Sequence, residues 1–183
     1  MPIDAGQCIT IATPFNWVTP TIVAISSLSA AIFAHLSIKS SREMARKAAA
    51  TALMERAVGN DVLRKATAII KELHADPNVD IKIYAYSKCP INHTGNEGGF
   101  RERVEAIKTI LNFHEHLAIG IKNSIYDEVL LKEQRYSSVI ELLDMTRDYI
   151  EERRKQSGHH TSYQDFQRLS ERWKTKPLEG YGR

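Results

Sequence analysis

From Trp17 to Ile38 the chain runs for about 22 residues without an Asp, Glu, Lys or Arg. A hydrocarbon core ~30 Å thick is crossed by roughly 20 mostly apolar helical residues. The pattern therefore predicts a transmembrane helix over residues 17–38. Thr19-Pro20 reads as an N-cap followed by proline at the first helical position. Trp17 stands where an interfacial aromatic anchor belongs. Thr21, Ser26, Ser27, Ser29, His35 and Ser37 dilute the apolar run, so a buried helix of a soluble bundle is the alternative. A cleaved signal peptide is disfavoured, because a basic leader and a cleavage context are missing.

Residues 41–58 are strong helix formers without a breaker. The span and this segment are expected to form one helix from Pro20 to about Val58, about 58 Å long. Gly59-Asn60 marks a break, and Asn60 caps a second helix through Leu73 whose apolar side carries Val62, Leu63, Ala66, Ile69 and Ile70. Residues 76–99 carry turn signals: Asp76-Pro77-Asn78, Cys89-Pro90 and the Gly-rich run near Gly98. Alternation at Val79, Ile81 and Ile83 allows a short strand, but a lone strand lacks a partner, so a packed loop is favoured.

Phe100, Val104, Ile107, Ile110, Leu111, His114 and Leu117 recur at helical spacing, with Gly120 as the expected terminator. Asp127 is expected to cap the next helix, which carries Val129, Leu130, Leu131, Val139, Ile140, Leu142, Leu143, Met145, Tyr149 and Ile150, with a kink allowed at Tyr136-Ser137-Ser138 and an end at Gly158. Ser162 and Asp165 resemble a capping box for a last helix bearing Phe166, Leu169 and Trp173 on one face. The predicted fold is all-α: a single N-terminal transmembrane helix continuing into a cytoplasmic helical bundle. Its parts are an external stretch 1–16, the span 17–38, a juxtamembrane helix 39–58, a helical domain 59–176 and a tail 177–183.

Charge adds an orientation. The net charge is +3, and Lys39, Arg42, Arg46 and Lys47, set against Glu43, carry that surplus directly after the span, whereas residues 1–16 hold no Lys or Arg. This asymmetry predicts an outside N-terminus and a cytoplasmic domain, with the four basic residues facing lipid headgroups. Cys8 and Cys89 then lie on opposite sides and cannot pair within one chain. The Asn92-His93-Thr94 glycosylation sequence has no meaning on the cytoplasmic side.

Chemistry is harder to find. No phosphate loop, dinucleotide fingerprint, nucleophile elbow or zinc-deaminase motif occurs, so the reading is of a non-enzyme without a cofactor. His114-Glu115-His116 lacks the i, i+4 histidine spacing of a helical metal site. His114 and Glu115 are better read as polar groups satisfied inside a bundle. Asn112 and Glu115 are expected to bond backbone groups of the 76–99 loop. Arg147, Arg153, Arg154, Arg168 and Arg172, interleaved with Tyr149, Tyr163 and Trp173, form a basic region. It reads either as a solvated face over core aromatics or as a site for an anionic nucleotide or single-stranded oligomer.

The span itself carries two stripes. Ala24, Ser27, Ala31 and Ala34 make a small-residue seam suited to close helix packing. Ser26, Ser29, Phe33 and Ser37 make an adjacent, partly polar stripe. In an oligomer this stripe would line a pore with Phe33 as an apolar constriction. One span per chain encloses nothing, so conduction needs several copies, a tetramer or similar. A dimerising, non-conducting anchor is the alternative.

Leu111-Asn112-Phe113-His114-Glu115, then Tyr126-Asp127-Glu128-Val129-Leu130-Leu131, and Tyr163 through Trp173 resemble a bacterial and prophage domain of unknown function. Its members pair a membrane helix with a Leu-Asn-aromatic-x-Glu core helix, an acidic helix start and a C-terminal tryptophan. The resemblance covers roughly residues 20–175 and transfers no catalytic motif. Related architecture occurs in the channel-like effector of Hailong-type anti-phage systems, where a nucleotidyltransferase makes DNA oligomers that silence the effector. What this resemblance implies is an oligomeric membrane effector with a regulated pore. The alternative is a membrane-tethered scaffold.

Overall fold

The computed structural model describes residues 18–86 and 97–178, and every described element is helical. The expectations for residues 1–16, Trp17, Cys8, Cys89, Asn92 and the end of the tail lie outside the described residues. Among the described residues five α-helices follow one another: α1 (Val18–Val58), α2 (Asp61–Ala75), α3 (Glu97–Lys122), α4 (Glu128–Ser157) and α5 (Gln164–Thr175), with a short 3-10 helix at Ile81–Ala85. The all-α prediction holds. The chain divides into two compact units, Met1–Arg42 and Glu43–Arg183.

Residues 21–42 of the first unit are helix with every side chain exposed. α1 is long and apolar enough to cross a membrane, and no residue of its most apolar stretch is buried (mean hydropathy 1.8). The uncharged run explains the unbroken helix, since Ala, Ile, Leu and Ser there leave no breaker after Pro20.

The second unit buries its apolar stripes against one another. α3 packs on α2 and α5, and α4 packs on α5 and the 3-10 helix. The core is built from Ala50 and Met54 at the end of α1, Ile70 and Leu73 of α2, Ile107, Leu111 and Leu117 of α3, Leu131, Val139, Leu143 and Ile150 of α4, and Phe166, Leu169 and Trp173 of α5. Helical periodicity singles out the α3, α4 and α5 positions and Ile70, but not Ala50, Met54 or Leu73, while Val62 and Val129, expected on buried faces, are 62 and 66% exposed at the first turns of α2 and α4. Asn60 caps α2 by accepting from the Val62 and Leu63 N–H groups. Asp127 caps α4 by accepting from Leu130 N–H at 2.9 Å. Gly158 closes α4 in the left-handed conformation, at φ 69°.

Three local expectations fail. Gly120 does not end α3, which continues to Lys122. A Cβ there would lie 2.1 Å from the Tyr126 ring, so this glycine serves close packing inside the helix. α4 runs unbroken through Tyr136-Ser137-Ser138, where Ser138 Oγ bonds back to Arg135 O at 3.1 Å. Ser162 does not cap α5. The cap position is Tyr163, at φ 57° and with no side-chain bond of its own.

The alternation at Val79, Ile81 and Ile83 belongs to a loop and 3-10 turn. Tyr84 is its buried anchor, stacked on Phe100 with centroids 5.2 Å apart. Arg153 Nη1 donates to Ala85 O at 3.2 Å, and Tyr86 Oη donates to Glu152 Oε1 at 3.1 Å. Side chains of α3 and α4 thus supply the partners that a lone strand would lack.

Candidate functional site

The second unit holds a cavity of about 430 Å³ bounded by the end of α1, α2, α3 and α4. Short side chains at Ala57, Thr67, Ala68 and Ser138 leave the space, and Ile110, Phe113, Leu142 and Met145 make much of its wall apolar. Arg64, Lys71, Arg135 and Glu141 contribute the charge. Arg64 is paired with Asp61 at 2.7 Å. Arg135 is half-buried and its Nε donates to Met54 Sδ at 3.1 Å, which fixes the guanidinium beside the cavity.

His114 is the buried polar side chain of this wall, 6% exposed. Its Nδ1 lies 2.9 Å from Ile110 O. Only a protonated Nδ1 can bond a carbonyl, so in the neutral ring Nε2 is left as an acceptor. Burial pushes the imidazole down from 6.5 to about 4; the bond to Ile110 O opposes this, and the nearby Arg135 charge adds to it. Phe166 tilts against the ring with centroids 5.4 Å apart. His114 is therefore neutral at physiological pH.

Glu115 turns the other way. Its carboxylate accepts from Phe166 N–H at 2.7 Å and Asp165 N–H at 3.3 Å, the free donors of the first turn of α5. A carboxylate of α3 thus does in trans what Ser162 was expected to do locally. This corrects the expected partner: Glu115 bonds the start of α5, not the 76–99 loop, and Asn112 is exposed. Lys122 reinforces the contact by pairing with Asp165 at 2.8 Å. At the other end of α5, Trp173 Nε1 and Arg172 Nη2 both donate to Glu128 Oε1, at 2.9 and 2.7 Å. The acidic start of α4 and the C-terminal tryptophan meet there.

The five arginines of the basic region are not gathered into one site. Arg153 holds Ala85 O, and Arg172 holds Glu128. Arg154 donates through Nε to Ser162 O at 3.0 Å and through Nη1 to Gln167 Oε1 at 2.9 Å. Arg147 is half-buried and Arg168 exposed. None of the five lines the cavity. Beside them, the Tyr149 hydroxyl is buried without a partner among the described residues, and burial raises its phenol well above the ordinary value.

In the first unit, Ser26 Oγ donates to Val23 O, Ser27 Oγ to Ala24 O and Ser29 Oγ to Ile25 O, at 3.0, 2.9 and 2.8 Å. Phe33 is 75% exposed, and Ala24, Ala31, Ala34 and Ser37 are exposed too. Of the basic residues, Lys39 and Arg42 are exposed in this unit. In the second unit Lys47 is exposed and Arg46 half-buried, its Nε unpartnered among the described residues.

Sequence reasoning missed the cavity. Its wall comes from four helices, and its members are ordinary core, small or rim residues. The one available signal was a histidine at a core position of α3. Among the described residues no group of three or more His, Cys, Asp or Glu side chains is placed to hold a metal ion.

Residues 23–173 match the model of a domain of unknown function, DUF4760. No curated protein and no solved structure matches the chain. With the match running from Val23 in the apolar helix to the buried Trp173, the chain belongs to the DUF4760 family.

Proposed function

We propose that this protein is an oligomeric, single-pass effector of the bacterial inner membrane, acting in anti-phage defence through an ion-conducting pore that its cytoplasmic domain controls. The observation that carries the reading is the bare apolar helix: Ile22, Leu28 and Phe33 are 61, 64 and 75% exposed. Exposure of that kind over some 20 residues calls for lipid, other copies or both. The seam of Ala24, Ser27, Ala31 and Ala34 provides the surface on which copies would meet. The resemblance to a bacterial and prophage membrane-anchored family, and more distantly to the Hailong-type effector, supports the defence role. The positive residues after Ile38 support an outside N-terminus. The protein acts in this reading by binding and conduction, not by catalysis. An anionic nucleotide or single-stranded DNA made by a partner enzyme is its candidate regulator, with Arg147 and Arg168 as the basic-region side chains free of hydrogen bonds and ion pairs among the described residues.

A second reading, a non-conducting membrane tether, is favoured by the serine geometry. Hydroxyls bonded to their own helix carbonyls need no aqueous lumen. Membrane-potential measurements on expressing cells separate the two. Phe33→Ser is expected to wet the constriction and depolarise the membrane, and Ser26→Leu with Ser29→Leu to suppress any depolarisation by the parent. If neither the parent nor Phe33→Ser depolarises cells, with the regulator absent or present, the pore reading fails and the tether stands.

A further inference from the structure

We propose that the cavity between α2, α3 and α4 is a binding site for a small soluble amphipathic anion: a compact apolar body that carries one acidic group and one hydrogen-bond donor. Its volume of about 430 Å³ lies in the range of small-molecule sites, roughly 300–1,000 Å³. That space suits one or two fused rings and excludes a diacyl lipid. The apolar wall has aromatic character at Phe113, which is half-buried. A partly exposed apolar concavity of this kind gains from covering by a ligand of matching character.

The charge at the wall selects the acidic group. Three cations, Arg64, Lys71 and Arg135, face a single carboxylate, Glu141. Arg64 is partly answered by Asp61. Lys71 makes no ion pair or hydrogen bond among the described residues, and Arg135 uses its Nε on Met54 while Nη1 and Nη2 bond no described group. A guanidinium pinned at one nitrogen with its outer edge unoccupied is preorganised for a carboxylate or phosphate.

His114 selects the donor. It is more than nine-tenths buried yet lines the cavity. With Nδ1–H committed to Ile110 O, Nε2 accepts and cannot give. A ligand N–H or O–H on the apolar body therefore matches it, and the acidic group belongs at the cationic rim. This inference is independent of whether the apolar helix conducts.

Indole-3-acetate has the required body, donor and charge and serves as the probe. The full chain in phosphatidylcholine nanodiscs, dialysed to equilibrium against the probe with empty nanodiscs as the blank, is expected to bind one equivalent saturably. For a ligand of that size a Kd on the order of 1 mM or tighter is expected. Arg135→Gln is expected to weaken binding about tenfold. Lys71→Glu, on an exposed position of α2, is expected to weaken it as well without touching the core. Indole-3-acetamide, which lacks the charge, should bind more weakly to the parent and equally to parent and Arg135→Gln. Ala68→Trp should fill the space and abolish binding, whereas Lys155→Gln, away from the cavity, should change nothing. No saturable uptake above the blank overturns the proposal, and so does uptake indifferent to Arg135→Gln, Lys71→Glu and Ala68→Trp alike. An Ala68→Trp chain that changes its oligomer size while still binding the probe would assign this face to contact between copies and likewise overturn it.

Discussion

The two units of this chain satisfy the same physical requirements by opposite means. In residues 21–42 every side chain is exposed, and the hydroxyls of Ser26, Ser27 and Ser29 turn back onto their own helix. In the second unit most large apolar side chains are covered, with Met44, Val58, Val62, Ile125 and Val129 as exposed exceptions, and polar groups find partners on other helices: Glu115 at the start of α5, Trp173 on Glu128, Arg153 on Ala85 O. A helix that closes its own hydrogen bonds and bares its apolar side chains is chemistry suited to hydrocarbon. A helix whose end is capped by a neighbour's carboxylate has its stability tied to that neighbour. The first unit should therefore tolerate polar trimming with little cost, while the second should respond sharply to the loss of single interhelical contacts.

The largest effect is expected at Trp173, 1% exposed at the end of α5. Trp173→Ala removes a large core side chain and strips Glu128 of one of its two donors, for a loss of about 3–5 kcal/mol. Urea unfolding followed by circular dichroism reads it. Phe33→Ala in the same assay should leave the second unit's transition in place; a comparable loss there would abolish the contrast between the units.

Acid should act next, through His114. Its folded value is depressed from 6.5 to about 4, so between those values the unfolded chain binds the proton and the folded chain does not. The histidine's contribution is complete above about pH 6.5, declines as pH falls toward 4, and changes no further below that. The full difference is on the order of 3 kcal/mol. Unfolding midpoints at pH 7 and pH 4.5, compared with His114→Phe, isolate this part of the acid sensitivity; identical slopes for the two proteins would contradict it.

Glu115→Ala should cost about 2 kcal/mol, because two N–H groups of α5 lose a charged acceptor. Glu115→Gln should lose about half as much, since an amide oxygen still accepts. If Glu115→Ala were neutral while Ser162→Ala were costly, the α5 cap would be local after all. The smallest effect belongs to the first unit: Ser26→Ala with Ser29→Ala should shift the second unit's stability by no more than about 0.5 kcal/mol.

Much of the helical layout is readable along the chain because its signals are local. The Asn60 cap after Gly59, the Asp127 cap and the left-handed Gly158 each depend on a few neighbouring residues, and the structure has all three. The buried faces of α3, α4 and α5 follow from 3.6-residue periodicity. Two failures occur where a residue outside the local motif outweighs its signal. Gly120 has the composition of a helix stop, but the Tyr126 ring occupies the space of its missing side chain. Ser162 has the spacing of a capping box, but Glu115, some fifty residues earlier, supplies the acceptor. Three arginines that look like one basic surface are drawn to separate backbone and side-chain acceptors.

The sequence by itself determined the helical class, the uncharged apolar run, the one-sided positive charge and the identity of most core positions. Each of these is a property of neighbours within a turn or two of helix. Only the tertiary structure decided that α5 is pinned at both ends by carboxylates of α3 and α4, and that His114 is buried as a neutral acceptor. It alone revealed the cavity beside that histidine. A cavity is space left between helices, set by how Ala57, Thr67, Ala68 and Ser138 fall opposite Phe113 and Met145. Periodicity along one helix reports which face is buried, but not how well the buried faces fill the volume between them.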